Sequence, residues 1–144
     1  MPPPAIYVAG FLAGLALEWI APSPQPPVWL RIAAGVVGLA MLIALDTQAM
    51  LRFMRSRTSF NPARPATSLV TGGPYRLTRN PMYLGMAAAY AGLAVATGVL
   101  WALAFLPAVV LVIDRLVIRR EERHLAAVFG EEYERYRSRV RRWV

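Results

Sequence analysis

Four long apolar stretches dominate the chain, and shorter polar or proline-rich segments separate them. They cover residues 5–21, 28–53, 81–98 and 100–118. A helix needs roughly 20 apolar residues to cross the hydrocarbon core of a bilayer, with a range of roughly 17–25. The second stretch exceeds that length, whereas the first and third lie near its lower limit. The pattern predicts an all-α fold, with residues 1–144 forming one integral membrane bundle of about four transmembrane helices.

Composition supports a membrane protein and excludes several kinds of chemistry. Hydrophobic residues make up 57% of the chain and charged residues 17%, whereas soluble domains carry roughly 25% charged residues. The chain has no cysteine and a single histidine, His124. Disulfides, thiolate ligands and multi-histidine metal centres are therefore excluded, and we expect no bound metal.

The positive charge is concentrated at one end of the predicted bundle. All 16 basic residues are arginines, against 8 acidic residues, and only Arg31 falls near the opposite end. The others lie in or beside a loop at 54–80 and in a tail at 119–144, or just before it. The positive-inside rule then predicts that both termini, the loop and the tail are cytoplasmic. Anionic lipid headgroups are the expected partners of these arginines, and we expect no nucleic acid.

The end of the 54–80 loop has features of a ligand site. Gly72-Gly73-Pro74-Tyr75 permits a tight reversal with exposed backbone amides. Asn80 is predicted to cap the third helix, and Pro81 suits its first position. A helix start with exposed amides at the membrane boundary favours an anion. The alternative is that these residues only end a loop and begin a helix.

The sequence of the tail predicts that the fourth helix extends beyond residue 118 and that a second short helix follows it. Gly130 is typical of a helix C-terminus. Beyond it, Tyr133, Tyr136, Val140 and Trp143 form one apolar stripe at helical spacing. We expect an amphipathic C-terminal helix that lies in the membrane interface or folds back as a lid. Glu121 and Glu122 in the extension either pair with nearby arginines or bind a cationic ligand, and the residues themselves favour neither reading.

Two strings carry a resemblance to a known family. LVTGGPYRLTRNPMYLG (69–85) and EERHLAAVFGEEYERYRSRVRRWV (121–144) resemble the isoprenylcysteine carboxyl methyltransferase and phospholipid methyltransferase family. The resemblance covers roughly residues 50–144. It implies an integral membrane enzyme that uses S-adenosylmethionine, held in a cofactor pocket that we expect on the cytoplasmic side.

The resemblance also implies which residues bind the cofactor and the substrate. The family's cofactor positions correspond here to Thr67, Ser68, Leu69, Val70, Tyr75, Asn80, Pro81, Met82, Tyr83 and Glu121. Asn80 replaces the histidine that is common in the family. An arginine that the isoprenylcysteine branch links to substrate is replaced by Val117, and the nearby Arg115 becomes the candidate substrate residue. The resemblance assigns no catalytic residue.

We therefore predict a membrane methyltransferase that transfers a methyl group from S-adenosylmethionine to a small or lipid-like acceptor. The acceptor group is a carboxylate, a thiol or an amine. A carboxylate or thiolate needs no general base, whereas an ammonium must first lose a proton. The alternatives are an NADPH-dependent membrane reductase of the sterol or enoyl type, which has a similar C-terminal pattern, and a non-catalytic membrane scaffold.

Overall fold

The protein is a helical bundle. Residues 21–27 join its first two long helices, and residues 98–99 form the turn between the next two. The computed structural model describes residues 2–55 and 68–144, and helices are the only regular elements within those ranges. The α-helices are α1 (Pro3–Ile20), α2 (Val28–Arg55), α3 (Pro81–Thr97), α4 (Leu100–Ile113), α5 (Arg119–Phe129) and α6 (Glu131–Arg139). A 3₁₀ turn at Gly73–Arg76 precedes α3, and a π-helical segment at Asp114–Ile118 joins α4 to α5.

Within residues 2–55 and 68–144, three helices are long and apolar enough to cross a membrane. They are α1, the Val28–Arg52 part of α2, and the continuous helix Leu100–Phe129 that contains α4 and α5. The apolar α3 has only 17 residues, so its role as a fourth span stays a prediction. Most of the large apolar side chains on α2 are exposed. That exposure suits a helix surrounded by acyl chains, because lipid is as apolar as the side chains themselves.

Small residues let the helices approach closely in two pairs. α2 packs against α3 and α1 packs against α4. Between α2 and α3, a β-carbon at Gly38 would lie 2.7 Å from the Ala88 carbonyl oxygen and 3.0 Å from the Cα of Gly92. Between α1 and α4, a β-carbon at Gly14 would overlap the Ala102 backbone. Such contacts are the usual way in which helices associate in lipid, where no hydrophobic driving force exists between them.

The apolar stripe that the sequence predicts for the tail is helical only in its first part. α5 ends at Phe129 and Gly130 has a positive φ of 51°, as expected for a helix terminator. α6 ends at Arg139, and Val140 is extended with φ −120° and ψ 128°. The prediction that Val140 and Trp143 continue the helical stripe was therefore wrong. The chain leaves the helix because its last residues pair with the start of α3, and Trp143 packs against the core by that route.

Candidate functional site

The glycine turn before α3 lies against an arginine of α2. Gly73 has a φ of +63°, which favours glycine, and the 3₁₀ turn that follows buries Pro74 and Tyr75. A β-carbon at Gly72 would lie 3.0 Å from Arg52 Nη1, and one at Gly73 would lie 3.0 Å from Arg52 Nε. The absence of side chains at both positions therefore lets the guanidinium rest against the turn.

A hydrogen bond joins the first turn of α3 to the charged extension of α4. The Tyr83 hydroxyl donates to Glu121 Oε1 at 2.8 Å. The backbone carbonyl of Tyr83 accepts a hydrogen bond from the Tyr7 hydroxyl of α1 at 2.9 Å. Tyr83 is half-buried and Glu121 is exposed. The two sequence strings that carried the resemblance therefore meet at this point, beside α1.

Tyr75 lies close to Tyr83 and Glu121, and a tyrosine of α6 is hydrogen-bonded to its backbone. Its side chain is buried, and its carbonyl accepts a hydrogen bond from the Tyr136 hydroxyl at 2.7 Å. Burial raises the pKa of the Tyr75 hydroxyl, and Tyr136, Glu121 and Asp46 raise it further in that order. The phenol therefore stays protonated at neutral pH and acts as a hydrogen-bond donor rather than as a base.

Glu122, next to Glu121, has a different environment. Its carboxylate accepts from Arg142 Nη2 at 2.6 Å and Nε at 3.1 Å, and it pairs with Arg79 Nη2 at 3.1 Å. Arg142 also contacts Asp114 Oδ1 at 3.1 Å. The side chains of Arg79 and Glu122 are 9% and 11% exposed. These four residues form a largely buried ion-pair cluster, which we call the arginine–carboxylate cluster.

The last residues also hold the start of α3 through backbone groups. The carbonyl of Arg142 accepts from the Thr78 hydroxyl at 3.0 Å and from the Asn80 side-chain amide at 3.0 Å. The carbonyl of Arg141 accepts from the backbone amide of Arg79 at 3.0 Å. Asn80 precedes α3 as predicted, but its side chain does not cap the helix. Its amide group is engaged with the tail instead.

The structure brings some of the predicted site residues together and separates others. Tyr75, Tyr83 and Glu121 form one group. Ser68, Leu69 and Val70 lie just before the glycine turn and are half-buried, as is Met82, whereas Asn80 and Pro81 are buried at the turn into α3. Thr67 lies outside the described residues. Arg115 lines a different cavity, whose lining includes none of Tyr75, Tyr83 and Glu121. The binding roles of all these residues stay predictions.

Sequence reasoning missed several charged residues at this end of the bundle. Arg52 and Arg142 were interpreted only as charges that set the orientation of the protein in the membrane. Their contact partners lie far away in the chain, and no local sequence pattern reveals such partners. Asp46 did carry a signal, because an acid within an apolar span is a functional candidate. Its Oδ1 is buried without a hydrogen-bond partner among the described residues, next to Gly85. No metal-binding group of histidine and acidic residues occurs in the described ranges.

The fold and this site define an integral membrane helical protein whose polar site is built at the arginine-rich end of its spans. Residues 30–132 match the phospholipid methyltransferase family. The chain belongs to that family.

The other comparisons are limited in extent. The chain is 51% identical over 35 residues to an uncharacterised protein of Haemophilus influenzae. That stretch covers 24% of this chain and 56% of the relative, so the chain spans little more than half of the relative's length. No solved structure matches the chain significantly.

Proposed function

We propose that the protein transfers the methyl group of S-adenosylmethionine to a lipid acceptor at the cytoplasmic face of the membrane. The hydrogen bond between Tyr83 and Glu121 carries the proposal, because it joins the two halves of the family's cofactor motif. Membership of a phospholipid methyltransferase family supports a lipid acceptor. The clustering of arginines at this end of the spans supports a cytoplasmic orientation.

The residues present fit the charged groups of S-adenosylmethionine. In the part of the chain that the structure describes, Tyr83 contacts Oε1 of the exposed Glu121 carboxylate and Oε2 has no partner, so Oε2 is available to an ammonium. Arg52 beside the glycine turn, together with the amides of that turn, suits a carboxylate. Leu69 and Tyr75 offer apolar surface for an adenine ring. The cofactor supplies an electrophilic methyl group on its sulfonium, and the protein supplies alignment and exclusion of water.

The acceptor enters the site from the bilayer in this proposal, because the spans present apolar side chains to the lipid. The protonated Tyr75 is suited to donate a hydrogen bond to the acceptor and not to remove a proton from it. A carboxylate or thiolate acceptor needs no base, whereas an ammonium does. Asp46 raises the pKa of Tyr75, and its Oδ1 has no hydrogen-bond partner among the described residues. It is therefore the residue to test as a proton acceptor. An Asp46→Asn variant should lose methylation of amine lipids and keep methylation of the other two classes.

The direct test is incubation of the purified protein with radiolabelled methyl donor and a membrane lipid extract. We expect label in a lipid fraction and loss of that label in the Glu121→Gln variant. Glu132→Gln is the matched control, since Glu132 is exposed and has no ion pair among the described residues. Label in a volatile thiol product instead would refute a lipid acceptor.

Binding measurements separate the two alternative functions. Saturable binding of NADPH without binding of S-adenosylmethionine would favour a reductase and reverse the proposal. A non-catalytic scaffold predicts that Glu121→Gln leaves donor binding unchanged, because the glutamate would then be only a solvated charge. We expect saturable donor binding that weakens in Glu121→Gln and not in Glu132→Gln.

A further inference from the structure

An open cavity lined by arginines lies where α4 passes into α5. Its volume is about 510 Å³. Its lining combines residues of the long helix with residues of α6 and the tail: Arg115, Arg119, Glu122, Arg123, Ala126, Arg137 and Arg142. The methyl-transfer proposal uses none of its exposed arginines.

The cavity lies on a different face of the helix from the Tyr83–Glu121 pair. Successive residues of an α-helix project about 100° apart, so Arg119 and Arg123 each project about 200° from Glu121. Arg119, Glu122, Arg123 and Ala126 follow the spacing of one helical face. A ligand in the cavity therefore does not reach the carboxylate that we assign to the methyl donor, and the cavity is a separate site.

The charges of the lining leave an excess of guanidinium groups. The acidic groups are already neutralised, since Glu122 pairs with Arg79 and Arg142, and Asp114 pairs with Arg142 and Arg119. Arg115 has no ion pair within residues 2–55 and 68–144. Arg123 donates to a backbone carbonyl at 3.2 Å and has no ion pair with the acidic residues that the structure describes. Two positive charges in the cavity therefore lack a carboxylate partner among those residues.

The position along the helix indicates the source of a matching anion. Leu111 and Leu116 are 51% and 66% exposed, as expected for side chains that contact acyl chains. Arg115 is adjacent to Leu116 and lies three residues before Ile118, where the apolar stretch at 100–118 ends. Guanidinium groups bind phosphate through paired hydrogen bonds. A phosphate at this depth belongs to a lipid headgroup.

We propose that the cavity binds the phosphate of an anionic phospholipid, separate from the lipid that is methylated. The bound phosphate connects Arg115 and Arg123 of the long helix with Arg137 of α6 and Arg142 of the tail. Because Arg142 holds the turn before α3, the lipid stabilises the docked tail. The proposal does not depend on methyl transfer and is tested without donor.

The test measures the thermal midpoint in phosphatidylcholine nanodiscs that contain increasing fractions of phosphatidylglycerol. We expect the midpoint of the native protein to rise and to saturate. The Arg115→Gln/Arg123→Gln double variant should need at least about tenfold more phosphatidylglycerol for the same rise, because charge-assisted hydrogen bonds are lost. Arg120→Gln/Arg135→Gln removes the same charge from residues outside the cavity and should respond like the native protein.

Three results would overturn the site. Equal losses of response in both double variants would indicate diffuse surface charge. An equal rise with inorganic phosphate in pure phosphatidylcholine would show that a free anion, and not a lipid, is bound. A native protein that shows no response to phosphatidylglycerol would exclude the site altogether. The single Arg115→Gln variant serves if the double variant does not fold, because that side chain makes no ion pair in the described ranges.

Discussion

The adjacent acids Glu121 and Glu122 should respond in opposite ways to the same chemical change. Replacing either carboxylate by an amide preserves shape and removes one charge. Glu122 accepts two charge-assisted hydrogen bonds from Arg142, at 2.6 and 3.1 Å, and forms an ion pair with Arg79 at 3.1 Å. Glu121 accepts one hydrogen bond from a neutral phenol and is exposed. The first change therefore affects stability, and the second affects ligand affinity.

The loss of stability expected for Glu122→Gln arises from the Arg79 guanidinium, which loses its carboxylate partner. The side chain of Arg79 is only 9% exposed, and its Nε and Nη1 have no partner among the described residues. Without the carboxylate, this guanidinium is a buried charge facing a neutral group. Removing one partner of a buried pair costs about 3–5 kcal/mol. We take about 3 kcal/mol, because Arg142 keeps Asp114 and is partly exposed, which corresponds to a midpoint lowered by roughly 6–12 °C.

The Glu121→Gln change should lower the thermal midpoint by much less, since exposed substitutions stay within about 0.5 kcal/mol. It should weaken binding of S-adenosylmethionine by about 10- to 100-fold, the effect of losing one hydrogen bond between charged groups. Thermal unfolding in one detergent and calorimetric titration of the donor measure both quantities for both variants. Equal midpoints, or a greater loss of donor affinity in a folded Glu122→Gln variant, would refute this division of roles.

Two further comparisons test the packing of the bundle and its tail. Tyr136→Phe should cost about 1 kcal/mol because its bond to the Tyr75 carbonyl is lost. Tyr133→Phe should be neutral or stabilising, because that hydroxyl is buried without a partner in the described ranges; equal midpoint losses in thermal unfolding would contradict this. Gly14→Val should destabilise by about 3 kcal/mol in the same assay, since its side chain overlaps Ala102. An unchanged midpoint would show that α1 and α4 do not touch there.

Hydropathy alone predicted most of the fold. The apolar stretches at 5–21 and 28–53 correspond to α1 and α2, and the stretch at 100–118 lies within the continuous helix Leu100–Phe129. Apolar runs of membrane length have few alternatives to helices, because lipid cannot satisfy exposed backbone groups. The stretch at 81–98 also forms a helix, but its 17 residues leave its length short of a clear span.

The site was harder to predict from the sequence than the fold, because the contacts that form it join residues far apart in the chain. Local rules placed Asn80 before a helix and gave its side chain a capping role. The Arg142 carbonyl, 62 positions away, takes that side chain instead. The sequence likewise left Glu121 and Glu122 equivalent, since a pair of acids beside arginines has no preferred member. The packing of α3 against the long helix places Tyr83 against Glu121, and the docked tail places Arg142 against Glu122.

The closing of the tail over the start of α3 has a consequence for which side chains the tail requires. The family match ends at residue 132, yet the carbonyls of Arg141 and Arg142 hold the residues that lead into α3. Every residue type supplies a carbonyl, so the backbone contact at position 141 does not depend on its side chain, whereas the Arg142 side chain also forms ion pairs with Glu122 and Asp114. The tail can therefore close over the start of α3 with any residue at position 141, and only position 142 carries a requirement on its side chain.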